Sequence, residues 1–454
     1  MKKYDVIVLG SGCGMEIVDQ ATAKRLSVAL VEPGALGGTC LNVGCIPSKM
    51  LIASADLIVE QERAERIGVK MTVVSVDFPA IMHRMRASRR KSEQHMRDAV
   101  PHLPGVAFYP ARGVLVAPKV VKIDGEEISG EQVFIACGGR PSIPPIPGLN
   151  EVEYLTSDTV LELDERPESI IIIGGGYIAV EYCHFFAAVG TRVTVLEMAE
   201  RLVGGEEPEI SETLGEELAK RARVLTGMRV ESVDRKDGLV GVSARSERSG
   251  KATEFEAQRI LVAVGRRPNT DLLEVAKGGI DTDAHGYVVV DEYMRTNQAG
   301  TYAVGDVNGR SMFRHSANVM AQVAAANAFE QRSIAMDYSA VPHAVYSSPQ
   351  IASVGLTEAR ARELGHDIVV TRTPYANTAK GEAIAEEVGF AKAIVEKESQ
   401  QILGFHIIGP HAAILIQEVV NAMKSGGHVD EIVRAIHIHP SLSELIPSAF
   451  ADGG

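Results

Sequence analysis

SIIIIGGGYIAVEY, residues 169–182, is the stretch on which the fold turns. Its run of isoleucines suits a strand buried on both faces, and the glycines after it let the chain turn tightly before a helical pattern begins. The strand RVTVLE follows and ends at Glu197. In such a strand–turn–helix–strand unit the turn backbone can approach a diphosphate, and the helix offers it unpaired N–H groups. The closing acidic residue accepts from a ribose hydroxyl. Gly174, Gly176 and Ala179 complete the small-residue fingerprint. The unit occurs again near the start, where YDVIVLGSGCG (4–14) leads through a helical pattern to VALVE, ending at Glu32. Gly10 and Glu32 are 22 positions apart and Gly174 and Glu197 are 23 apart, close to the expected interval of about 20. A nucleotide-binding unit has been duplicated; this is not a short repeat array. Gly10 and Gly12 keep the first two positions of the earlier copy, but Met15 stands at the third. A side chain of that size is expected to loosen the helix–strand packing unless Gly14 absorbs it.

The 454 residues exceed one core, so about two to four domains are expected. Apolar residues make up 45% and charged residues 23%, as in a globular protein. A formal charge of −13 offers nucleic acid no attractive field, and the basic cluster Arg84 to Lys91 reads as a solvated helix face. No apolar run is expected to reach the roughly 18 residues of a membrane span. MKKYDVIVLG runs straight into a strand, so neither a signal nor a transit peptide is expected, and a cytoplasmic location follows. Five cysteines, an odd number, argue against a secreted disulfide scaffold.

Two of the cysteines, Cys40 and Cys45, lie five positions apart in GGTCLNVGCIPSK (37–49). On a regular helix, residues at that spacing point roughly 140° apart. Were the sulfurs to pair, the segment between them could not be regular helix, and Asn42 and Gly44 suit an irregular turn. Pro47 suits the first turn of a helix, which places Cys45 at a helix N-terminus, where a thiolate is stabilised. Taken alone, such a spacing more often belongs to two reduced cysteines in a loop.

Further on, YAVGDVNG (302–309) reads as a strand ending in Gly-Asp, and VFIACGGRP (133–141) and ILVAVGRRP (260–268) as strands ending in glycine turns. Cys137 and Cys183 read as small buried hydrophobes. From about residue 340, VPHAVYSSPQIASVG, GFAKAIVEKES and ILGFHIIG suit an antiparallel sheet, with helices near 357–365, 412–425 and 441–449.

These motifs together resemble the pyridine nucleotide–disulfide oxidoreductases, over essentially the whole chain and in the family's order. GGTCLNVGCIPSK resembles the family's redox disulfide segment, TNQAGTYAVGD its second FAD-binding motif and HPSLSE (439–444) its catalytic histidine segment. The resemblance implies an α/β fold with two Rossmann-like dinucleotide-binding domains, for FAD and NAD, and a C-terminal α+β dimerisation domain. The implied boundaries are 1–145 (FAD, first part, with the redox disulfide), 146–269 (NAD), 270–338 (FAD, central part) and 339–454 (interface). It implies a Cys40–Cys45 disulfide beside the flavin, with Cys45 the flavin-side, charge-transfer thiol and Cys40 the interchange thiol. Lys49 would lie near the flavin and pair with Glu181. Gly10, Gly12, Gly14, Glu32, Gly38, Thr39, Lys49, Gly138, Gly305 and Asp306 would hold FAD; Gly174, Gly176, Ala179, Glu197 and Gly265 would hold NAD. His439, oriented by Glu444, would be the acid–base residue and reach the disulfide of the other subunit of a homodimer. His437 and His439 have no evident third ligand, so no metal is expected.

Glu197 favours a free ribose 2′-hydroxyl, hence NAD over NADP; the nearest arginine is Arg201. HPSLSE points to dihydrolipoamide dehydrogenase, and the expected reaction converts dihydrolipoamide and NAD+ to lipoamide and NADH, with a lipoyl carrier domain as the candidate partner. The terminal ADGG (451–454) carries no cysteine pair, which counts against mercuric and long thioredoxin reductases, and no metal-binding or lipoyl domain is expected ahead of the first strand. GSGCGMEIVDQ (10–20) resembles mycothione reductase, and FRHSANVMAQ (313–322) departs from the AHKA-like segment of the dehydrogenase. The alternatives are therefore an NAD(P)H-dependent reductase of a mycothione- or glutathione-type disulfide, a mercuric reductase-like enzyme, or a flavin-binding redox sensor without turnover.

Overall fold

The structure, a computed structural model, describes residues 1–451; residues 452–454, and with them most of the ADGG terminus, lie outside the described residues. The chain divides into two compact units, one of Met1–Ser48, His83–Ser142 and Gly265–Asp337, the other of Lys49–Met82, Ile143–Val264 and Tyr338–Gly454.

The first unit is built on a parallel sheet in the order Val106–Tyr109, Val28–Val31, Lys2–Leu9, Glu126–Ile135 and Thr301–Ala303. The hairpin Gly113–Ala117 and Val120–Ile123 extends it in antiparallel fashion from the start of Glu126–Ile135. Val6, Ile7 and Val8 are fully buried at its centre, as a strand covered on both faces requires. The helix Gly14–Ala23 packs on the strand through Gly14, where a Cβ would lie 2.7 Å from Val8 Cγ1. The close-packing position is therefore Gly14, and Met15, one residue on, is half-buried and loosens nothing. The glycine turns after the strands of 133–141 and 260–268 meet as a two-stranded ribbon, Gly139–Pro141 against Arg266–Pro268.

The second unit contains the duplicated parallel sheet, ordered Arg223–Leu225, Arg192–Leu196, Ser169–Ile173 and Arg259–Val262. Ile170 to Ile173 are at most 4% exposed, and each contributes roughly 2 kcal/mol by leaving water. Beside it stands a three-stranded antiparallel sheet, Met228–Lys236, Leu239–Ser246 and Ala252–Ala257, which the sequence reading does not include. Its signal is present: Asp237-Gly238 is a two-residue hairpin loop. The C-terminal sheet is antiparallel, ordered His343–Val345, Ile351–Gly355, Ile402–Ile408, Phe390–Glu396 and Ile368–Pro374. The last of these is a half-buried edge strand whose apolar run ends after Ile368, Val369 and Val370, too short to mark it in the sequence. Helices Glu358–Glu363, Ala412–Lys424 and Leu445–Ala451 fall where helices are expected.

Lys392 lies in the buried strand Phe390–Glu396 and is 3% exposed, with its Nζ 2.8 Å from Glu207, 2.7 Å from Glu209 and 2.8 Å from Glu358. Burial works to lower its pKa, but these hydrogen-bonded carboxylates overcome that and raise it. Lys392→Met leaves the carboxylates without their cation and is expected to cost roughly 3–5 kcal/mol in urea unfolding. Burial works to raise Glu209, but the Lys392 ammonium holds it below the usual carboxylate range, and the same ammonium, with Arg362, does so for Glu358. Their contribution is complete above the unfolded glutamate value and is lost as pH falls through the lowered values.

The stretch Gly38–Arg66 is long and apolar enough to cross a membrane by length and composition alone, but Lys49 and Asp56 interrupt it, so it is no continuous apolar run. In the structure Val43 and Gly44 interrupt its helix, and Lys49 and Asp56 pair with Glu181 and His184.

Candidate active site

Cys40 sits in the short helix Gly38–Asn42, and Cys45 opens the helix Cys45–Arg66. Asn42 is 8% exposed and closes the first helix instead of forming the turn. Its Nδ2 donates to the carbonyls of Leu36 at 2.8 Å and Gly38 at 3.0 Å, which fixes the loop ahead of Cys40. The break falls at Val43 and Gly44, where a Cβ on Gly44 would lie 3.0 Å from the Thr39 carbonyl. The break brings the two cysteines together as thiols, with the Cys45 side chain hydrogen-bonded to Cys40. That hydrogen bond, and burial after it, raise the Cys40 pKa well above the ordinary thiol range, while the Arg314 charge opposes them. A dithiol held this way closes to a disulfide on losing two electrons and two protons, with little movement of the chain.

The other residues of the first glycine motif surround the same segment. A Cβ on Gly38 would come within 2.7 Å of Gly12 Cα, whereas one on Gly12 would meet nothing closer than 3.8 Å, so two glycine backbones touch and leave open space beside them. Glu32 follows its strand as expected; its Oε2 accepts from Ser11 N and Oγ, both at 2.9 Å, and its Oε1 from Gly34 N at 2.9 Å. Carboxylate oxygens retain further acceptor capacity in that arrangement. Gly305 and Asp306 open a turn after Thr301–Ala303, and burial raises the Asp306 carboxyl against the opposing charge of Arg266. Arg266 Nε is 3.5 Å from Asp306, and its Nη2 reaches the carbonyl of Gly139 at 2.5 Å and Thr39 Oγ1 at 3.4 Å. In the sequence Arg266 looks like an ordinary residue of a glycine turn. Its position just after an apolar strand was the available signal. Gly138 has a φ of 62° and its carbonyl accepts from Asn269 N. Gly265, expected at the NAD site, lies in this first unit, and its carbonyl accepts from Ser142 N.

In the second unit, a Cβ on Gly174 would strike the Ala263 carbonyl at 2.4 Å, while around Gly176 nothing lies within 4 Å. The helix Tyr177–Ala188 starts there without a side-chain cap, and Ala179 is fully buried against its strand. Glu197 is half-buried and its Oε1 accepts from Ala199 N at 2.6 Å. Tyr177 donates to Glu206 Oε1 at 2.9 Å and stacks on His343 at 5.6 Å. Glu206 is 3% exposed and also accepts from Ser353 at 2.6 Å. GGEEPE reads as a polar loop, so nothing in the sequence announces this network.

Lys49 Nζ is 2.8 Å from both oxygens of Glu181 and 4.7 Å from the centre of the Tyr346 ring, and Tyr346 N donates to Glu181 at 3.0 Å. His439 Nδ1 is 2.8 Å from Glu444 Oε1, while Glu444 Oε2 accepts from Ser441 N at 2.9 Å. Ser441 and Glu444 form a reciprocal capping box, so the carboxylate is positioned by backbone. His439 is 71% exposed, and with Nδ1–H given to Glu444 it presents Nε2 to solvent. His437 pairs with Glu418 at 2.6 Å, and among the described residues no group of His, Cys, Asp and Glu has the makings of a metal site.

Residues 4–331 match the family described as pyridine nucleotide-disulphide oxidoreductase, and residues 341–450 match its dimerisation domain. The chain is 36% identical over 461 residues to mycothione reductase of Mycobacterium tuberculosis (strain ATCC 25618 / H37Rv), with 99% of each chain covered. It is 34% identical over 449 residues to dihydrolipoyl dehydrogenase of Chlamydia muridarum (strain MoPn / Nigg), covering 97% of this chain and 95% of that one. The solved structure of the HOCl-induced flavoprotein disulfide reductase RclA from Escherichia coli superposes with a TM-score of 0.88 at 27% identity, over 99% of both chains. The family uses FAD and NAD(P)H. The two glycine turns fit such dinucleotides: each has open space at its second motif glycine and an acidic residue after its second strand.

Proposed function

The chain belongs to the pyridine nucleotide-disulphide oxidoreductase family, and on that premise we propose that its reaction is the oxidation of dihydrolipoamide by NAD+ through a Cys40–Cys45 disulfide. The observation that carries this is the hydrogen-bonded thiol pair at the start of the helix Cys45–Arg66. Bound FAD supplies the two-electron link between the dithiol and the nicotinamide.

Cys40 is the thiol that exchanges with the substrate's sulfur, and Cys45, at the helix N-terminus where negative charge is favoured, is the flavin-side thiol. Lys49, four residues on and neutralised by Glu181, keeps a cation near the redox centre. His439 takes the proton from the attacking dithiol at Nε2, and Glu444 holds its Nδ1–H and stabilises the charged ring. The 341–450 region supports a homodimer in which His439 serves the partner protomer's dithiol. A lipoyl group on a carrier domain is the proposed physiological partner, and a low cysteine count accords with the cytoplasm.

A second reading, the NAD(P)H-dependent reduction of a mycothiol-type disulfide, is favoured by GSGCGMEIVDQ and by the 36% identity to mycothione reductase. Steady-state rates across lipoamide, glutathione, coenzyme A and mycothiol disulfides separate the two. Rates with dihydrolipoamide no better than with unrelated dithiols would count decisively against the first.

Glu197 carries the nucleotide preference: its carboxylate accepts from a 2′-hydroxyl and repels a 2′-phosphate. Glu197→Ser is expected to lower the ratio of kcat/KM for NADH over NADPH by about tenfold or more, the worth of one charged hydrogen bond. An unchanged ratio would assign the preference to other groups.

A further inference from the structure

We propose that Arg314 is the counter-ion for the diphosphate of the dinucleotide held at the Gly10–Gly14 turn. This rests on the reading of that turn as the FAD site. Arg314 is the first residue of the 16-residue helix Arg314–Phe329, inside the segment FRHSANVMAQ. Its Nη1 stands 3.8 Å from where a Gly12 Cβ would be, over the open cradle that the Gly12 and Gly38 backbones form.

The turn's own donors are backbone N–H groups, and that of Ser11 is already given to Glu32. Arg266 is engaged with Asp306, Gly139 and Thr39. A diphosphate brings two negative charges, and a planar guanidinium matches its oxygens with paired N–H donors. Burial raises the Cys13 thiol, and the Cys45 hydrogen bond with burial raises that of Cys40; the Arg314 charge opposes both, so it is felt on both sides of the cradle. The segment's departure from the AHKA-like pattern thereby acquires a purpose, because it introduces a cation where the glycine turn offers only dipoles.

The test is FAD release from the holoprotein on serial dilution, followed by recovery of flavin fluorescence at low and moderate salt, for the parent, Arg314→Met and Arg314→Lys. Methionine keeps an unbranched stem, so packing is largely retained. Arg314→Met is expected to weaken FAD binding on the order of tenfold or more, as the loss of a charged hydrogen bond does. Its affinity should also depend less on salt, and Arg314→Lys should recover part of both effects. Unchanged affinity and salt dependence in Arg314→Met, or a lysine variant as weak as the methionine one, would overturn the assignment while leaving the FAD reading intact. A parent protein that neither carries nor takes up FAD overturns both. Equal urea midpoints for the flavin-free parent and Arg314→Met separate loss of the ligand contact from loss of fold.

Discussion

Cys45→Ser is expected to lower turnover with every dithiol or disulfide substrate by roughly a thousandfold or more, the scale seen when a covalent nucleophile is removed. Serine keeps the size and the helix-terminal position but cannot form the bond on which the cycle depends. The helix Cys45–Arg66 begins at this residue, and Asn42 and the break at Val43 and Gly44 hold the chain without it, so the variant should fold and retain flavin. Cys40→Ser should be equally inactive in substrate exchange, yet for a different reason: it removes the thiol whose proton the Cys45 hydrogen bond retains. Measured flavin content together with kcat decides the matter. Full activity in Cys45→Ser would remove the dithiol from the mechanism and revive the sensor reading.

How much of this was legible in the sequence depends on the range of the interactions involved. The duplicated glycine units could be read because strand, turn, helix and acid lie within one short stretch and obey local rules. Cys45 at a helix start was legible for the same reason, through Gly44 and Pro47. The role of Met15 was not, because what matters is which residue faces Val8, and that is settled by packing. Arg266 and Arg314 were opaque, since their partners Asp306, Thr39 and Gly12 are remote in sequence. Lys392 reads as an anomaly in an apolar strand until three glutamates from distant segments surround it. The Ile368–Pro374 strand shows the same limit: at a sheet edge half its side chains need not be apolar, so the alternation that marks a strand fades.

His439→Gln is expected to lower kcat/KM for dithiol oxidation by roughly 10²- to 10⁴-fold, the usual worth of a general acid–base group. It should also remove the limb of the pH–rate profile that reports the acid–base group. Glutamine can still donate to Glu444 but cannot take up a proton at the opposite end of the side chain. Glu444 is not the origin of that limb. The Ser441 N–H first, and His439 after it, hold its carboxyl below the usual range, so it is ionised throughout neutral pH. Its hold on the His439 ring is therefore present above the unfolded carboxylate value of about 4.3 and is lost only as pH falls through the lowered one. Glu444→Gln should consequently reduce the rate less than His439→Gln and leave that limb in the profile, because the imidazole persists while its orientation and charged-state stabilisation are weakened. A His439→Gln enzyme that kept both its rate and that limb would require another base, and the exposed Nε2 of His439 would then have no part in moving the substrate's proton.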